Sequence, residues 1–336
     1  MKPTDLANLL TAFLKDYLPS QRNVSPNTVI SYRDTFVLLL RYCRDVKGIA
    51  PNRMELKQLT PSLIRGFLDH LEEARHCKVR SRNQRLTAVH SFFRYVHVEK
   101  PEYVVQCQRI LAIPHKRHQH PLIEHLAPDD LAAILAQPDL TEKQGRRDAV
   151  LLSLLYDTGA RVQELIDLSV RDIRLDAPAQ VRLTGKGRKT RCVPLMKATV
   201  ALLRSYLQEQ DLVRPDAGLE PVFRNREGKR LSRSGIRYIF LKYVEQARAS
   251  RPALGVQISP HTLRHTKAMH LLQAGNPLVV IRNILGHSYV QTTEIYARAD
   301  MEMKRKALES IPTPSSPSKL PSWKRDPDLL ERLRNL

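Results

Sequence analysis

Apolar residues recur at spacings of three and four along most of the chain, which predicts a mainly helical protein. Residues 5–18 place one apolar face along a first helix: Leu6, Leu9, Leu10, Phe13, Leu14 and Tyr17. A second helix is predicted to begin at Ser25, which can cap it, and Pro26, which suits its first turn. It is predicted to end near Gly48.

The same start signal recurs at Thr60 and Pro61, where a third helix is predicted. A fourth covers residues 83–99, with apolar inward positions and arginines outward. Four short helices with basic outer faces predict a compact bundle over residues 1–112 that could lie along a DNA backbone.

The helical pattern is interrupted further along the chain. Residues 113–128 mix proline, histidine and basic residues, which favours a basic interdomain linker. Helical spacing resumes in residues 129–312, but residues 180–195, "QVRLTGKGRKTRCVPL", alternate and predict a β-hairpin with Lys186 at its tip. We therefore expect a mainly α fold with a small β-hairpin, in which the second domain is of the α+β type.

Residues 313–336 are rich in Pro and Ser and then in leucines at helical spacing, which predicts a linker followed by a short amphipathic helix. So short a helix needs another surface to bury its apolar face. Elsewhere the chain has no run of 18 uninterrupted apolar residues, and its N-terminal segment carries charges within the apolar pattern. These features predict a soluble cytoplasmic protein without a membrane partner or a signal peptide. The four cysteines are scattered, which fits reduced thiols.

Lys and Arg exceed Asp and Glu by 55 to 34, a net charge of +21 that implies a polyanionic partner such as nucleic acid. Residues 75–94 hold six Lys or Arg and residues 182–191 hold five, with no acidic residue in either segment. One such cluster fits a solvated surface equally well, but several favour an extended contact with double-stranded DNA. The candidate DNA-contacting residues are Arg80, Arg82, Arg85, Lys116, Arg117, Arg188 and Lys189.

Three histidines in the predicted linker, His115, His118 and His120, could in principle bind a metal ion. The Lys and Arg residues between them would repel a cation, and no Cys or carboxylate completes a ligand set. The pattern favours a basic linker, and neither a metal nor another cofactor is expected.

Two short motifs in the second domain could bind a phosphate. His261 and Arg264 share one face of a helix that Pro260 would begin, where backbone N–H groups favour an anion. Arg161 follows a turn, and the carboxylate of Glu164, one helical turn on, could orient the guanidinium. Each pair alone is a common surface pattern. Together the two guanidinium groups could clamp the non-bridging oxygens of one phosphate.

Further residues could complete a catalytic set. His287 can donate to the same phosphate, and Tyr296 offers a nucleophilic oxygen. Lys186 can protonate a departing alkoxide, although Lys189 lies on the same hairpin. Fixed cations would stabilise the extra negative charge of a pentacoordinate phosphorus. The sequence lacks the carboxylate cluster of a two-metal nuclease, so the chemistry is expected to be metal-free.

Four motifs, in this order and spacing, resemble the tyrosine recombinase (phage integrase) family: "TGARVQELIDL", "LTGKGRKTR", "HTLRHTKAMHLL" and "LGHSYVQTTEIYA". The resemblance implies a catalytic set of Arg161, Lys186, His261, Arg264, His287 and Tyr296, supported by Glu164. In it the tyrosine is the nucleophile and the arginines clamp the phosphate. The lysine is the general acid for the 5′-hydroxyl leaving group, and the histidines bind phosphate and handle protons.

The resemblance also implies an architecture. Family members join an N-terminal helical, SAM-like core-binding domain to a catalytic domain, and they act as tetramers on two DNA sites through a Holliday junction. In many, a C-terminal helix docks on a neighbouring subunit, which is the role expected of residues 323–336. The organisation resembles simple Xer-like recombinases, or those of transposons and plasmids, working on DNA in the bacterial cytosol. Integration, excision, resolution and transposition all fit.

Two other functions fit parts of the pattern. A type IB topoisomerase uses similar tyrosine chemistry on one strand, and relaxation of supercoils without strand exchange would identify it. A non-catalytic DNA-binding protein could share the scaffold, but it would have no need of all six catalytic residues.

Overall fold

The computed structural model forms two compact units, Met1–Pro121 and Leu122–Leu336. The residues described are 3–117, 124–185, 187, 189–252, 254–255, 258–287, 293, 296, 305, 331 and 334. The division between the units falls within the segment that the sequence analysis interprets as a linker. None of the helices in the described part of the chain is long and apolar enough to cross a lipid bilayer.

The first unit is a helical bundle in its described residues. Its α-helices are α1 Asp5–Ala12, α2 Pro26–Lys47, α3 Pro61–Glu73, α4 Val79–Glu99 and α5 Val104–Leu111. The four predicted helices are present. The sequence analysis did not predict α5, a short helix that directly follows the tight turn Pro101–Tyr103. α1 continues into a wider π-helical segment, Phe13–Gln21.

The predicted helix starts in this unit are confirmed by their hydrogen bonds. The hydroxyl of Ser25 accepts from the backbone N–H of Thr28, and that of Thr60 accepts from Leu63. α2 ends at Gly48 in a left-handed conformation, as glycine permits. Aromatic side chains, including Phe13, Phe36 and Phe92, pack edge-to-face in the core beneath these helices.

The second unit combines helices with a small sheet. Its described elements are α6 Pro128–Leu135, α7 Lys143–Thr158, α8 Val162–Ile166, β1 Ile173–Arg174, β2 Gln180–Thr184, β3 Thr190–Pro194, α9 Lys197–Glu209, α10 Arg233–Arg248, α11 Pro260–Gln273 and α12 Leu278–Leu285. The described strands pair antiparallel in the order β1–β2–β3, with Val181 opposite Val193. The predicted hairpin is confirmed as β2–β3, and the mainly α fold with a small sheet is confirmed as well.

Packing in the second unit brings several helix ends together. α7 lies in the core, with its leucines buried, and α11 packs against both α7 and α12. α7 ends at Gly159 and α12 ends at Gly286, each in a left-handed conformation. The unsatisfied carbonyls of two helix C-termini therefore lie beside α11, where a buried donor can reach them.

Candidate active site

The guanidinium group of Arg264 lies in the interior of the second unit. Arg264 belongs to α11, and only 1% of its surface is exposed. Its Nη1 donates to the carbonyl of Gly159, and its Nη2 donates to the carbonyl of Leu285, both at 2.6 Å. These bonds fix the planar fork between two helix ends. They use two of its five N–H donors, so the group can still donate to an anion.

Two glycines allow this close packing. A Cβ at Gly159, where φ is +56°, would lie 2.5 Å from Cδ2 of Leu285. A Cβ at Gly286, where φ is +65°, would lie 2.9 Å from the side chain of Arg191. Both the left-handed backbone and the space available therefore call for glycine at these helix ends.

The carboxylate of Glu164 in α8 is the second buried charge. It accepts from the backbone N–H of Arg161 at 2.9 Å and from its Nη1 at 2.7 Å. It also accepts from Nη1 and Nη2 of Arg191 on β3, at 3.1 and 2.8 Å. Nε of Arg191 donates to the carbonyl of Ile284 in α12. Glu164 thus holds Arg161 in one orientation while 36% of that side chain stays exposed.

Positive charge exceeds negative charge in this region, because, among the described residues, three guanidinium groups lie near the single carboxylate of Glu164. Burial, and then the charge of Arg161, lowers the pKa of Arg264 to about 9, so this group remains protonated at neutral pH. For Glu164, burial raises the pKa, but the hydrogen bonds and charges of Arg191 and Arg161 outweigh burial and lower it overall. Buried positive charge in excess of negative charge favours the binding of an anion.

Three histidines lie among these charges. His261 and His265 are one turn apart on α11, with ring centroids 4.5 Å apart and ring planes nearly perpendicular. Nδ1 of His287 lies 2.9 Å from the hydroxyl of Thr293. Burial, followed by the charges of neighbouring Arg or His groups, lowers the pKa of all three histidines. The pKa falls to about 4 for His265 and to about 3 for His287. Negative charge from a bound phosphate would raise all three pKa values.

Tyr296 is buried beside two of these histidines. Its Oη lies 2.9 Å from Nδ1 of His265. Its ring stacks on that of His287, with centroids 6.3 Å apart and an 11° angle between the planes. Burial raises the pKa of the phenol, and the charges of Arg264 and Arg161 oppose that rise. The phenol is therefore protonated at neutral pH.

The end of β2 approaches the Arg161–Glu164 pair. A Cβ at Gly185 would lie 2.8 Å from Oε1 of Glu164 and 3.5 Å from Nη1 of Arg161. Lys186 and Arg188, which the sequence analysis singled out, lie outside the described residues. Lys189 is described, and its side chain is exposed.

The described members of the sequence-predicted set therefore lie in one region of the second unit. Arg161 and Glu164 are directly bonded, and Tyr296 stacks on His287. The charge of Arg161 contributes a lowering of the pKa at four other members of the set: Arg264, His261, His287 and Tyr296. The catalytic roles of these residues remain predictions.

Three residues of this region had no role in the sequence analysis. Arg191 belonged to the basic segment 182–191, but nothing in the segment indicated that it would turn inward to Glu164. His265 could have been found from its spacing, because it lies one helical turn after His261. Thr293 gave no signal in the sequence.

The basic candidates of the first unit differ in their environment. Arg80 and Arg117 are exposed, and Lys116 forms an ion pair with Glu72 at 2.6 Å. Arg82 is 5% exposed and donates to Asn83 Oδ1 and the carbonyl of Pro114. Arg85 donates to the carbonyl of Ser31 and to Thr35 Oγ1. The guanidinium of Arg82 is therefore used internally, and its assignment to DNA contact stays a prediction. Arg85 is similarly anchored on α2.

A phenol placed among histidines and arginines suits an enzyme that transfers a phosphoryl group to tyrosine, and comparison with known proteins gives the family. The model of the phage integrase family matches residues 124–303, and the model of the phage integrase N-terminal SAM-like domain matches residues 10–100. The chain belongs to the phage integrase family. Its function is that of a tyrosine-type site-specific recombinase, and the topoisomerase alternative is not favoured.

Proteins similar in sequence are named as integrases or tyrosine recombinases. The chain is 42% identical over 336 residues to the integrase/recombinase y4rC of Sinorhizobium fredii, covering 100% of this chain and 99% of that protein. It is 31% identical over 298 residues to the tyrosine recombinase XerC of Pelotomaculum thermopropionicum, covering 86% of this chain and 93% of the relative.

Solved structures show the same fold. The Tn1549 transposon integrase in complex with transposon right end DNA superposes with a TM-score of 0.69 at 16% identity, covering 91% of this chain and 99% of the other. The XerH site-specific recombinase bound to palindromic difH substrate gives a TM-score of 0.66 at 21% identity, covering 89% and 84%.

Proposed function

We propose that the chain cuts and rejoins double-stranded DNA at specific sites through a 3′-phosphotyrosyl link to Tyr296. The observation that carries this proposal is the buried phenol next to His265 and His287, within the field of Arg161 and Arg264. A phosphodiester bound there would gain two cationic, planar donors that match its non-bridging oxygens. The link stores the energy of the broken bond, so rejoining needs no ATP.

The residues of the proposed site fall into four roles. Arg161 and Arg264 clamp the scissile phosphate, and Glu164 orients Arg161 through two hydrogen bonds. His261 and His287 donate to the phosphate oxygens or carry protons. Lys186 is the proposed general acid that protonates the leaving 5′-hydroxyl, a role suggested by family resemblance and by the position of its neighbour Gly185.

The proposed assembly follows the family pattern. A tetramer would join two DNA sites, exchange strands through a Holliday junction and act on DNA in the bacterial cytosol. The exposed Arg80, Arg117 and Lys189, with Lys116, are the proposed DNA contacts among the described candidates. Residues 323–336 would dock on a neighbouring subunit; of these, only Glu331 and Arg334 lie within the described residues. Removal of the chain after Ser315 should then reduce tetramer formation and recombination together.

The decisive experiment traps the covalent complex. Wild-type protein is incubated with nicked fragments of genomic DNA, in which the short strand diffuses away after cleavage, and the captured DNA is sequenced. We expect an adduct that survives denaturation and that is lost in Tyr296→Phe, while DNA binding remains. An adduct of equal yield in Tyr296→Phe would remove the tyrosine from its assigned role. Relaxation of supercoils without exchange between two captured sites would indicate a topoisomerase instead.

A further inference from the structure

His265 is the side chain that contacts the reactive atom of Tyr296. Its Nδ1 lies 2.9 Å from Oη, and it is the one hydrogen-bond partner of Oη among the described residues. The two rings are 5.6 Å apart and tilted by 59°. His265 is half-buried, and it follows Arg264 directly on α11, so the same helix that carries the phosphate-binding arginine carries this contact.

The other two histidines are placed differently. The ring of His287 lies flat against the tyrosine ring, and its Nδ1 is directed at the hydroxyl of Thr293. The ring of His261 packs nearly perpendicular to that of His265, one turn away from the residue that touches Oη. His265 alone of the three shows a hydrogen bond to Oη, at a distance within the range of about 2.6–3.2 Å that suits direct proton transfer.

We propose that His265 is the general base that takes the phenolic proton of Tyr296 during cleavage and returns it during rejoining. The proposal rests on the function proposed above and adds a residue that the family pattern had not assigned. In the neutral imidazole, Nδ1 accepts the O–H of the phenol and the ring proton lies on Nε2.

The charges around His265 make its basicity depend on the substrate. Burial, His261 and Arg264 keep the pKa of His265 at about 4, so the imidazole is neutral but weakly basic. A phosphodiester held by Arg161 and Arg264 brings a negative charge, and the pentacoordinate state brings a second. Both would raise the proton affinity of His265. The phenol would therefore lose its proton only when DNA occupies the site, which protects the nucleophile from premature activation.

In cleavage, one proton leaves the phenol and one bond at phosphorus replaces another. The Oη–H bond breaks and its proton moves to Nδ1, while Oη forms a bond to phosphorus. The bond from phosphorus to the 5′ oxygen breaks, and that oxygen takes a proton from the proposed general acid, Lys186. In rejoining, the 5′-hydroxyl attacks, and the imidazolium of His265 returns its proton to the departing phenolate.

The first measurement is single-turnover cleavage of a captured nicked substrate by wild type and by His265→Asn. Asparagine places an amide near the position of Nδ1, so it preserves a hydrogen bond to Oη without supplying a base. We expect cleavage to slow by about 10²-fold or more. The residual rate should rise with pH, because hydroxide then replaces the missing base. Cleavage within about threefold of the wild type would overturn the proposal.

A second measurement separates proton transfer from positioning. In the Tyr296→Phe background, a DNA strand that ends in a 3′-p-nitrophenyl phosphate is joined to a 5′-hydroxyl strand. p-Nitrophenolate departs without a proton, so adding His265→Asn should leave this joining rate within about threefold. Equal slowing of joining and of cleavage would show a structural role and overturn the proposal.

The outcomes also distinguish the proposal from the function on which it rests. If wild-type protein forms no covalent adduct with any DNA, both fall together. If wild type forms the adduct and His265→Asn forms it equally fast, the recombinase assignment stands and the base assignment alone is wrong.

Discussion

The site has an arginine side, formed by Arg161, Arg191 and Arg264 with Glu164, and a tyrosine side, formed by Tyr296 with its neighbouring histidines. The two sides are held by different numbers and kinds of bonds. Glu164 accepts four hydrogen bonds from two arginines, and Arg264 donates to the ends of two helices. Oη of Tyr296 has one partner among the described residues, His265. Charge-assisted bonds to several elements fix in advance the groups that we propose bind the phosphate. A single bond between neutral groups constrains the phenol less, as its proposed attack on phosphorus requires.

The largest effect is expected from Arg264→Lys, on the arginine side. Lysine keeps the charge but cannot donate to Gly159 and Leu285 and hold a phosphate at the same time. We expect single-turnover cleavage to fall by about 10²–10³-fold, or about 3–4 kcal/mol of transition-state stabilisation. DNA affinity should change little, because the net charge is unchanged. Arg237→Lys, at an exposed position of α10, is the control. Cleavage by Arg264→Lys at the control rate would contradict a fixed clamp.

The next effect is on folding, and Arg191→Met measures it. Methionine preserves much of the side-chain volume but removes two bonds to Glu164 and one to the carbonyl of Ile284. A buried carboxylate that loses a charged partner is costly, so we expect a loss of about 2–4 kcal/mol in the free energy of unfolding.

Arg182→Met on the adjacent strand is the matched control for Arg191→Met. Arg182 also pairs with a carboxylate, Asp172, but its side chain is 50% exposed. Such pairs contribute less than about 1 kcal/mol, so urea unfolding should separate the two variants clearly. Equal losses in the two variants would show that burial adds nothing to the Glu164 cluster.

The pH dependence of stability gives a third test of the arginine side. The pKa of Glu164 is lowered from its ordinary value of 4.5. Its ionised form therefore stabilises the fold fully above that value, and the contribution is lost as the pH falls through the lower, folded-state pKa. Wild type should exceed Glu164→Gln in unfolding free energy at pH 7, and the difference should shrink steadily below pH 4.5. A difference that is constant from pH 7 to pH 3 would show that its partners do not lower the pKa of Glu164.

The sequence could predict local features of the structure, but it could not predict contacts between elements that are distant along the chain. Helix starts such as Ser25 and the alternating strands of the hairpin are local features, and the structure confirms them. The motif order pointed to Arg161, Arg264 and Tyr296 as partners in one site. The inward turn of Arg191 and the contact of His265 with Oη depend on elements that meet only after folding. The burial of Arg82 could not be predicted either, because its neighbours in the sequence are basic and typical of an exposed segment.

The smallest effect is expected on the tyrosine side, from Thr293→Val. Valine has the shape of threonine but lacks the hydroxyl that meets Nδ1 of His287. One neutral hydrogen bond contributes about 1 kcal/mol, so we expect cleavage to fall by about three- to tenfold through a less constrained imidazole.

Thr35→Val in the first unit is the control for Thr293→Val, because Thr35 is also buried and its hydroxyl also forms hydrogen bonds, to the carbonyl of Ser31 and with Arg85, but it lies outside the second unit. Comparable small losses of stability in the two variants, with slower cleavage only in Thr293→Val, would place His287 in the reaction. If both variants cleave at the wild-type rate, the orientation of His287 does not limit the reaction. The tyrosine side would then depend on His265 alone among the described histidines.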